Sequence, residues 1–269
     1  MMEPLRRASP TGNPSYGGTR KVSLDMQKSA MRTLIEIDRF VARVAEHFKT
    51  GLGGAVVEVY KLGSLAHGGF SRIYSDIDVG VLLHCAEPPE RMSELIAEAK
   101  TLDAEYGQKL SIFWGNPEFT WGRLPVIDRL DMLDHGAPVL QGIRADFRRP
   151  AREEIHREQL QGIERSWRSR LPELNSLTRL ELKDRKPYIR AILYAARLIY
   201  TWDNLAVGSN DRAVEYLHQV EPHGLDLKPI DLALACRQEK CTAEDVFTLR
   251  PDLIRQCESA VSYISRNPA

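Results

Sequence analysis

The stretch from residue 61 to residue 83, KLGSLAHGGFSRIYSDIDVGVLL, narrows most what this chain can become. A short valine-rich run from Ala55 to Leu62 ends at Gly63-Ser64, a loop carrying Gly68-Gly69 follows, and Ser75-Asp76-Ile77-Asp78 opens a second apolar run to Leu83. The pattern reads as strand, glycine-bearing turn, strand. Side chains alternate along a strand, so Asp76 and Asp78 project from one face while Ile77, Val79 and Val81 project from the other.

Each part of this stretch has a physical use. Glycine has no side chain, so the Gly63-Ser64 turn lets backbone N–H groups and the Ser64 hydroxyl approach phosphate oxygens. Two neighbouring carboxylates repel one another. A divalent cation relieves that repulsion, and Mg²⁺ takes one or two carboxylates and completes its shell with substrate phosphates and water. The spacing of Asp76 and Asp78 therefore fits a metal–nucleotide complex. Arg72, between the glycine loop and the acid pair, is placed to reach phosphate oxygens with its guanidinium. An isolated Asp-x-Asp is otherwise the solvent face of an edge strand; the turn upstream separates the two readings.

The remaining elements give this segment a setting. Leu34, Ile37, Val41, Val44 and Phe48 recur on one helical face, and Gly51, Gly53 and Gly54 stop the helix. Pro88-Pro89 opens a helical pattern through Met92, Leu95, Ile96 and Leu102, and a third strand-like run covers Gln108 to Trp114. Between Gly115 and Gly142 lie a short amphipathic piece, Val126 to Leu133, and a strand, Pro138 to Leu140. From Ala151 onward strand signals stop, and Ile189, Ile192, Leu193, Ala196 and Ile199 mark an amphipathic helix. The expectation is an α+β protein: a flexible leader over 1–22, a domain over 23–148 built on a small sheet with flanking helices, and an all-helical domain over 149–269.

Strand, Gly-Ser, glycine loop and Ser-Asp-x-Asp in this order resemble the signature of the DNA polymerase beta-like nucleotidyltransferase superfamily. Gly63-Ser64, Gly68-Gly69 and Ser75-Asp76-Ile77-Asp78 look most like its aminoglycoside adenylyltransferase family. The resemblance implies a small mixed sheet, a Gly63-Ser64 turn that holds triphosphate, with Arg72 and Ser75 beside it, and Asp76 and Asp78 as catalytic metal ligands for Mg²⁺. It implies transfer of NMP, AMP from ATP foremost, to a hydroxyl of a small molecule such as an aminoglycoside. A protein acceptor, as in the antitoxin-type members, is the alternative. The C-terminal stretches Arg197 to Thr201 and Asp211 to Ala213 echo the family's helical domain, but Leu205 and Asn210 stand where members usually carry a glycine and a lysine. Trp202, Asp203, Asp211 and Glu215 are candidates for an acceptor pocket, the acids facing a polycationic ligand and the tryptophan stacking on it.

The pattern breaks at the third carboxylate, which in the superfamily lies on a neighbouring strand and binds metal or takes the proton of the attacking hydroxyl. Here that strand reads Lys109-Leu110-Ser111-Ile112-Phe113-Trp114. With Leu110 and Ile112 in the core, Ser111 occupies the third position, and serine is a poor base at neutral pH. Glu105, Glu118, Asp128, Asp131 and Asp134 read more simply as loop, cap or exposed helical acids. A catalytically weak nucleotide-binding protein is therefore a further alternative. His67, His84 and Cys85 have no second pair at zinc-ligand spacing.

Composition excludes other classes. Lys plus Arg and Asp plus Glu both total 37, so the basic excess of a non-specific polynucleotide binder is missing. No apolar run reaches the roughly 18 residues of a membrane span, since Arg197 interrupts the greasiest stretch. Cys85, Cys236, Cys241 and Cys257 lack the spacing of a disulfide framework. A cytoplasmic protein with a nucleotide and a small-molecule acceptor as partners is the expectation.

Overall fold

The computed structural model describes residues 17–141, 147–220, 224–250 and 252–266. Most of the expected leader lies outside these residues; helix α1 begins at Gly17 and runs to Leu52. The chain divides into two compact units, Met1–Arg39 and Phe40–Ala269. In the first, Leu34 is 42% exposed, although the periodicity assigns it to the apolar face. The second unit carries the sheet and every helix after α1.

In that larger unit the end of α1 buries Phe40, Val41, Val44 and Phe48. Strands β1 (Val56–Lys61), β2 (Ile77–Leu83), β3 (Leu110–Gly115), β4 (Gly122–Arg123) and β5 (Ala137–Pro138) form one sheet in the order β4-β3-β2-β1-β5. The β2–β3 pair is parallel and the others are antiparallel, so the sheet is mixed. A parallel pair needs a crossover; helix α3 (Pro89–Thr101) supplies it, burying Met92, Leu95 and Ala99. Helix α2 (Ser64–His67) is one turn between β1 and β2, and α4 (Val126–His135) precedes β5.

Alternation along β2 organises the sheet's two faces. Ile77, Val79 and Val81 are fully buried on one side. The other side carries Asp78, then Gly80, then Leu82, which packs with Tyr60, Leu62, Met132 and Phe147. A Cβ on Gly80 would stand 2.4 Å from Met132 Cε, so a bare backbone there lets α4 lie close to the sheet. Glu58 of β1 is buried, and its carboxylate accepts the N–H groups of Leu140 (2.7 Å) and Gln141 (3.0 Å), fixing the path of the chain after β5.

From residue 152 onward the described residues are helical or loop: α5 (Arg152–Gly162), α6 (Arg168–Ser176), α7 (Leu182–Asn204), α8 (Asn210–Gln219), α9 (Leu227–Arg237), α10 (Ala243–Phe247) and α11 (Asp252–Arg266). A wide π turn over Ile163–Trp167 joins α5 to α6. Helix α7 is central: it buries residues around most of its circumference, as a helix surrounded by others must. Its core also takes in Tyr74 from the loop before β2, which ties the sheet's signature loop to the helical region.

Candidate active site

The expected turn is built around Gly63, which adopts φ +60° and ψ −145°, a conformation other residues avoid. A Cβ there would lie 2.5 Å from Asp78 Oδ2, so glycine also makes room for the acid. Gly63 N–H donates to Asp131 Oδ2 at 2.6 Å, and the Ala66 and His67 N–H groups return to the Gly63 carbonyl. Ser64 and Ser75 share a hydroxyl–hydroxyl hydrogen bond of 2.9 Å. Ser75 Oγ accepts from Ser71 N–H (2.9 Å) and from Arg237 (2.8 Å), so its hydroxyl ties loop, sheet and helix α9 together.

Asp76 stands just before β2 and Asp78 within it, in one cleft with Gly63, Ser64 and Ser75. The opposite wall comes from α7, with Lys186, Arg190 and Arg197, and from Arg237 of α9. Asp76 Oδ1 accepts from Lys186 Nζ at 2.5 Å, and its Oδ2 lies 3.6 Å from Arg190. Asp78 is pushed up to about 6, first by burial and then by the charge of Asp76. Burial and neighbouring Arg190 bring Arg197 down to about 10, and its Nε has no hydrogen-bond partner.

Parallel pairing sets Ser111 of β3 directly beside Asp78. The third position expected to hold a carboxylate is thus serine in space as well as in sequence. Among the described residues no three acidic, histidine or cysteine side chains converge as a ready metal cage. The Asp76–Asp78 pair still suits Mg²⁺, which needs one or two carboxylates when phosphate oxygens supply further ligands. Burial first and the neighbouring Asp76 charge second disfavour the ionised Asp78 carboxyl, and a bound cation would offset both.

Other sequence-based expectations come out differently. Arg72 is exposed and paired with Glu105 at 3.0 Å, away from the cleft wall. Trp202 is buried and stacks on His156 with ring centroids 3.7 Å apart, so it has no face to offer an acceptor. Asp203 accepts from Tyr216 (2.9 Å) and Tyr263 (2.8 Å), a bridge within the helical core. Glu215 is exposed on α8. Asp211 pairs with Gln238 and comes near the Gly69 backbone, at the border of the glycine loop. None of these four lines the cleft.

Asp131 corrects the reading of the nearby acids as cap, loop or exposed residues. It is only 4% exposed, and burial raises its carboxyl. Asp128, one turn earlier on α4, is half-buried and pushed up to about 7 by burial, then by the charges of Asp78 and Asp131. The cleft residues missed in the sequence include Lys186, Arg190 and Arg197. Their spacing of four and then seven puts them on one face of α7, a cationic stripe along a helix whose middle is mostly apolar, a signal present in the sequence. Asn210 also lines the cleft, and Leu205 caps α7 in the left-handed conformation, φ 51°.

No family model matches the sequence, and no curated protein matches it. Among solved structures, the fold matches that of spectinomycin adenyltransferase AAD(9) from Enterococcus faecialis, crystallised with ATP and spectinomycin. The TM-score is 0.57 at 14% sequence identity, over 83% of this chain and 99% of that one. Mixed sheet, signature turn and helical C-terminal region together give this chain an aminoglycoside adenylyltransferase-like nucleotidyltransferase fold.

Proposed function

We propose that the protein is a Mg²⁺-dependent nucleotidyltransferase that moves AMP from ATP to a hydroxyl of a small, cationic acceptor of the aminoglycoside or aminocyclitol type. The observation that carries this reading is the cleft itself. A glycine–serine turn and two aspartates form one wall, and Lys186, Arg190 and Arg237 face them. An enzyme of phosphoryl chemistry needs little more than positioned charge around an in-line displacement. AAD(9), the structure with the same fold, was crystallised with ATP and spectinomycin, which supports the choice of nucleotide and acceptor class.

In this reading Asp76 and Asp78 would hold Mg²⁺, and the metal when bound neutralises charge on the phosphates and polarises the phosphorus under attack. Ser64 binds the triphosphate through its backbone N–H and hydroxyl, on a turn whose shape Gly63 allows and whose Gly63 N–H is held by Asp131. Lys186 and Arg190 exchange Asp76 for phosphate oxygens once nucleotide enters, and Arg237 keeps Ser75 and its loop in place. Ser75 serves the nucleotide through this loop, and Arg72 stands outside the phosphate contacts. No helix among the described residues is long and apolar enough to cross a membrane. An ATP-consuming transferase of this kind belongs in the cytoplasm.

The reading is tested by acceptor-dependent pyrophosphate release over a panel that includes spectinomycin and deoxystreptamine aminoglycosides. Release that needs Mg²⁺ and disappears in Asp76→Ala and Asp78→Ala supports it; release that persists in both variants removes the residue assignment. A second reading, nucleotide binding without transfer, is favoured by Ser111 beside Asp78. It predicts tight ATP–Mg²⁺ binding with no turnover on any acceptor, and labelled AMP appearing on a co-purified protein would instead favour a protein acceptor.

A further inference from the structure

A hydroxyl that attacks phosphorus must lose its proton, and the strand position that should supply a carboxylate holds Ser111. The replacement has to come from the cleft wall, because a proton acceptor works only within hydrogen-bond reach of the attacking oxygen or through one water. On that wall the cations Lys186, Arg190, Arg197 and Arg237 have no lone pair to offer. Asp76 and Asp78 are committed to the metal. Asp128 and Asp131 do not line the cleft, and Asp131 Oδ2 is held by Gly63 N–H. One basic side chain remains on the wall, His67, which ends the single turn of α2.

We infer that His67 is the general base of the transfer reaction, standing in for the absent third carboxylate; this rests on the transferase reading above. His67 Nδ1 lies 3.1 Å from the Gly68 carbonyl oxygen. A carbonyl only accepts, so Nδ1 carries the proton and Nε2 keeps the lone pair. The ring is steadied on its other side by His135 of α4, edge to face at 5.7 Å. In the step itself the acceptor oxygen bonds to the α-phosphorus, the bond from that phosphorus to the bridging oxygen breaks, pyrophosphate leaves with that electron pair, and the hydroxyl proton passes to Nε2.

Charges around the ring suit both halves of the cycle. Burial holds His67 below its ordinary value, which keeps it neutral and ready at pH 7. The carboxylate of Asp131 on α4 favours the protonated ring that forms after transfer, whereas His135 on α4 and Arg197 on α7 oppose it and help return the proton to water. The resulting base is active above the pKa of His67 and silenced below it.

The test uses the full chain with the acceptor that supports wild-type turnover. His67→Gln should lower kcat by about 100-fold or more, abolish the acid limb of the pH–rate profile, and leave ATP–Mg²⁺ affinity within about twofold of wild type, as a base that does not hold the nucleotide should. His67→Gly should regain activity when imidazole is added, which a purely structural role would not allow. A kcat within about threefold of wild type, an acid limb that survives the substitution, or a loss of rate matched by loss of ATP affinity with no imidazole response each overturns the assignment. Wild-type protein that releases no pyrophosphate with any acceptor removes the transferase reading and the base together; turnover that is indifferent to His67 removes the base alone.

Discussion

Lys186 Nζ donates to Asp76 Oδ1 across 2.5 Å, so the ammonium of helix α7 sits on the carboxylate just before strand β2. The contact joins residues 110 positions apart in sequence. Before any nucleotide arrives, the lysine thus neutralises an acid that a metal would otherwise claim.

Removing this lysine should act in two opposite directions. Lys186→Met leaves Asp76 with less positive company, so Mn²⁺ binding in the absence of nucleotide should tighten. ATP affinity in the presence of Mg²⁺ should fall on the order of tenfold or more, through loss of a charge-assisted phosphate contact. Calorimetric titration of the variant with each ligand separates the two, and equal weakening of both would show that the lysine is structural.

Gly63 tolerates no side chain. Its φ is positive, and Asp78 Oδ2 stands 2.5 Å from where a Cβ would be. Gly63→Ala should cost roughly 1–3 kcal/mol of stability and displace Asp78, so ATP–Mg²⁺ binding should be lost even in the fraction that remains folded. Denaturant unfolding and nucleotide titration on the same preparation check both statements.

These two residues also show what was legible in the sequence. Gly63, Ser64, Asp76 and Asp78 could be read because strand alternation and a glycine turn are local: the chain neighbours alone dictate which way the side chains point. The existence of β1 to β3, with ends placed within two residues, and the serine at position 111 were legible from the same local signals. Lys186, Arg190 and Asp131 were not legible as site residues, since their positions depend on how α7 and α4 pack against the sheet. Trp202 misled for a related reason: an aromatic residue near a resembling motif looks like a ligand platform until His156, 46 positions earlier, is found stacked on it.

Asp203 belongs to the helical core rather than to an acceptor pocket. Asp203→Ala leaves the Tyr216 and Tyr263 hydroxyls without their shared acceptor. The variant should lose roughly 1–3 kcal/mol of stability while the acceptor KM stays unchanged. A KM that rises with stability intact would return Asp203 to the acceptor site.

Asp128 makes the fold less stable in alkali. Its carboxyl is raised from 3.8 to about 7, so the folded state holds the proton more tightly than the unfolded state does. The stabilisation this gives is full below pH 3.8 and is lost as pH rises through about 7. Asp128→Asn should therefore be more stable than wild type at pH 8, by on the order of 1 kcal/mol, with the advantage shrinking towards pH 4. Unfolding midpoints at the two pH values test the sign.

The proposed transfer depends most on Asp76 and Asp78 acting together on a metal-bound nucleotide. Transfer of label from α-³²P-ATP to an acceptor, followed in wild type and in Asp78→Asn with folding verified, addresses that directly. Mg²⁺-dependent labelling is expected in the wild type, with a rate at least about 1,000-fold slower in the variant, on the order of what loss of a metal ligand costs. Labelling by Asp78→Asn at the wild-type rate, or wild-type labelling indifferent to removal of divalent cations, would contradict it.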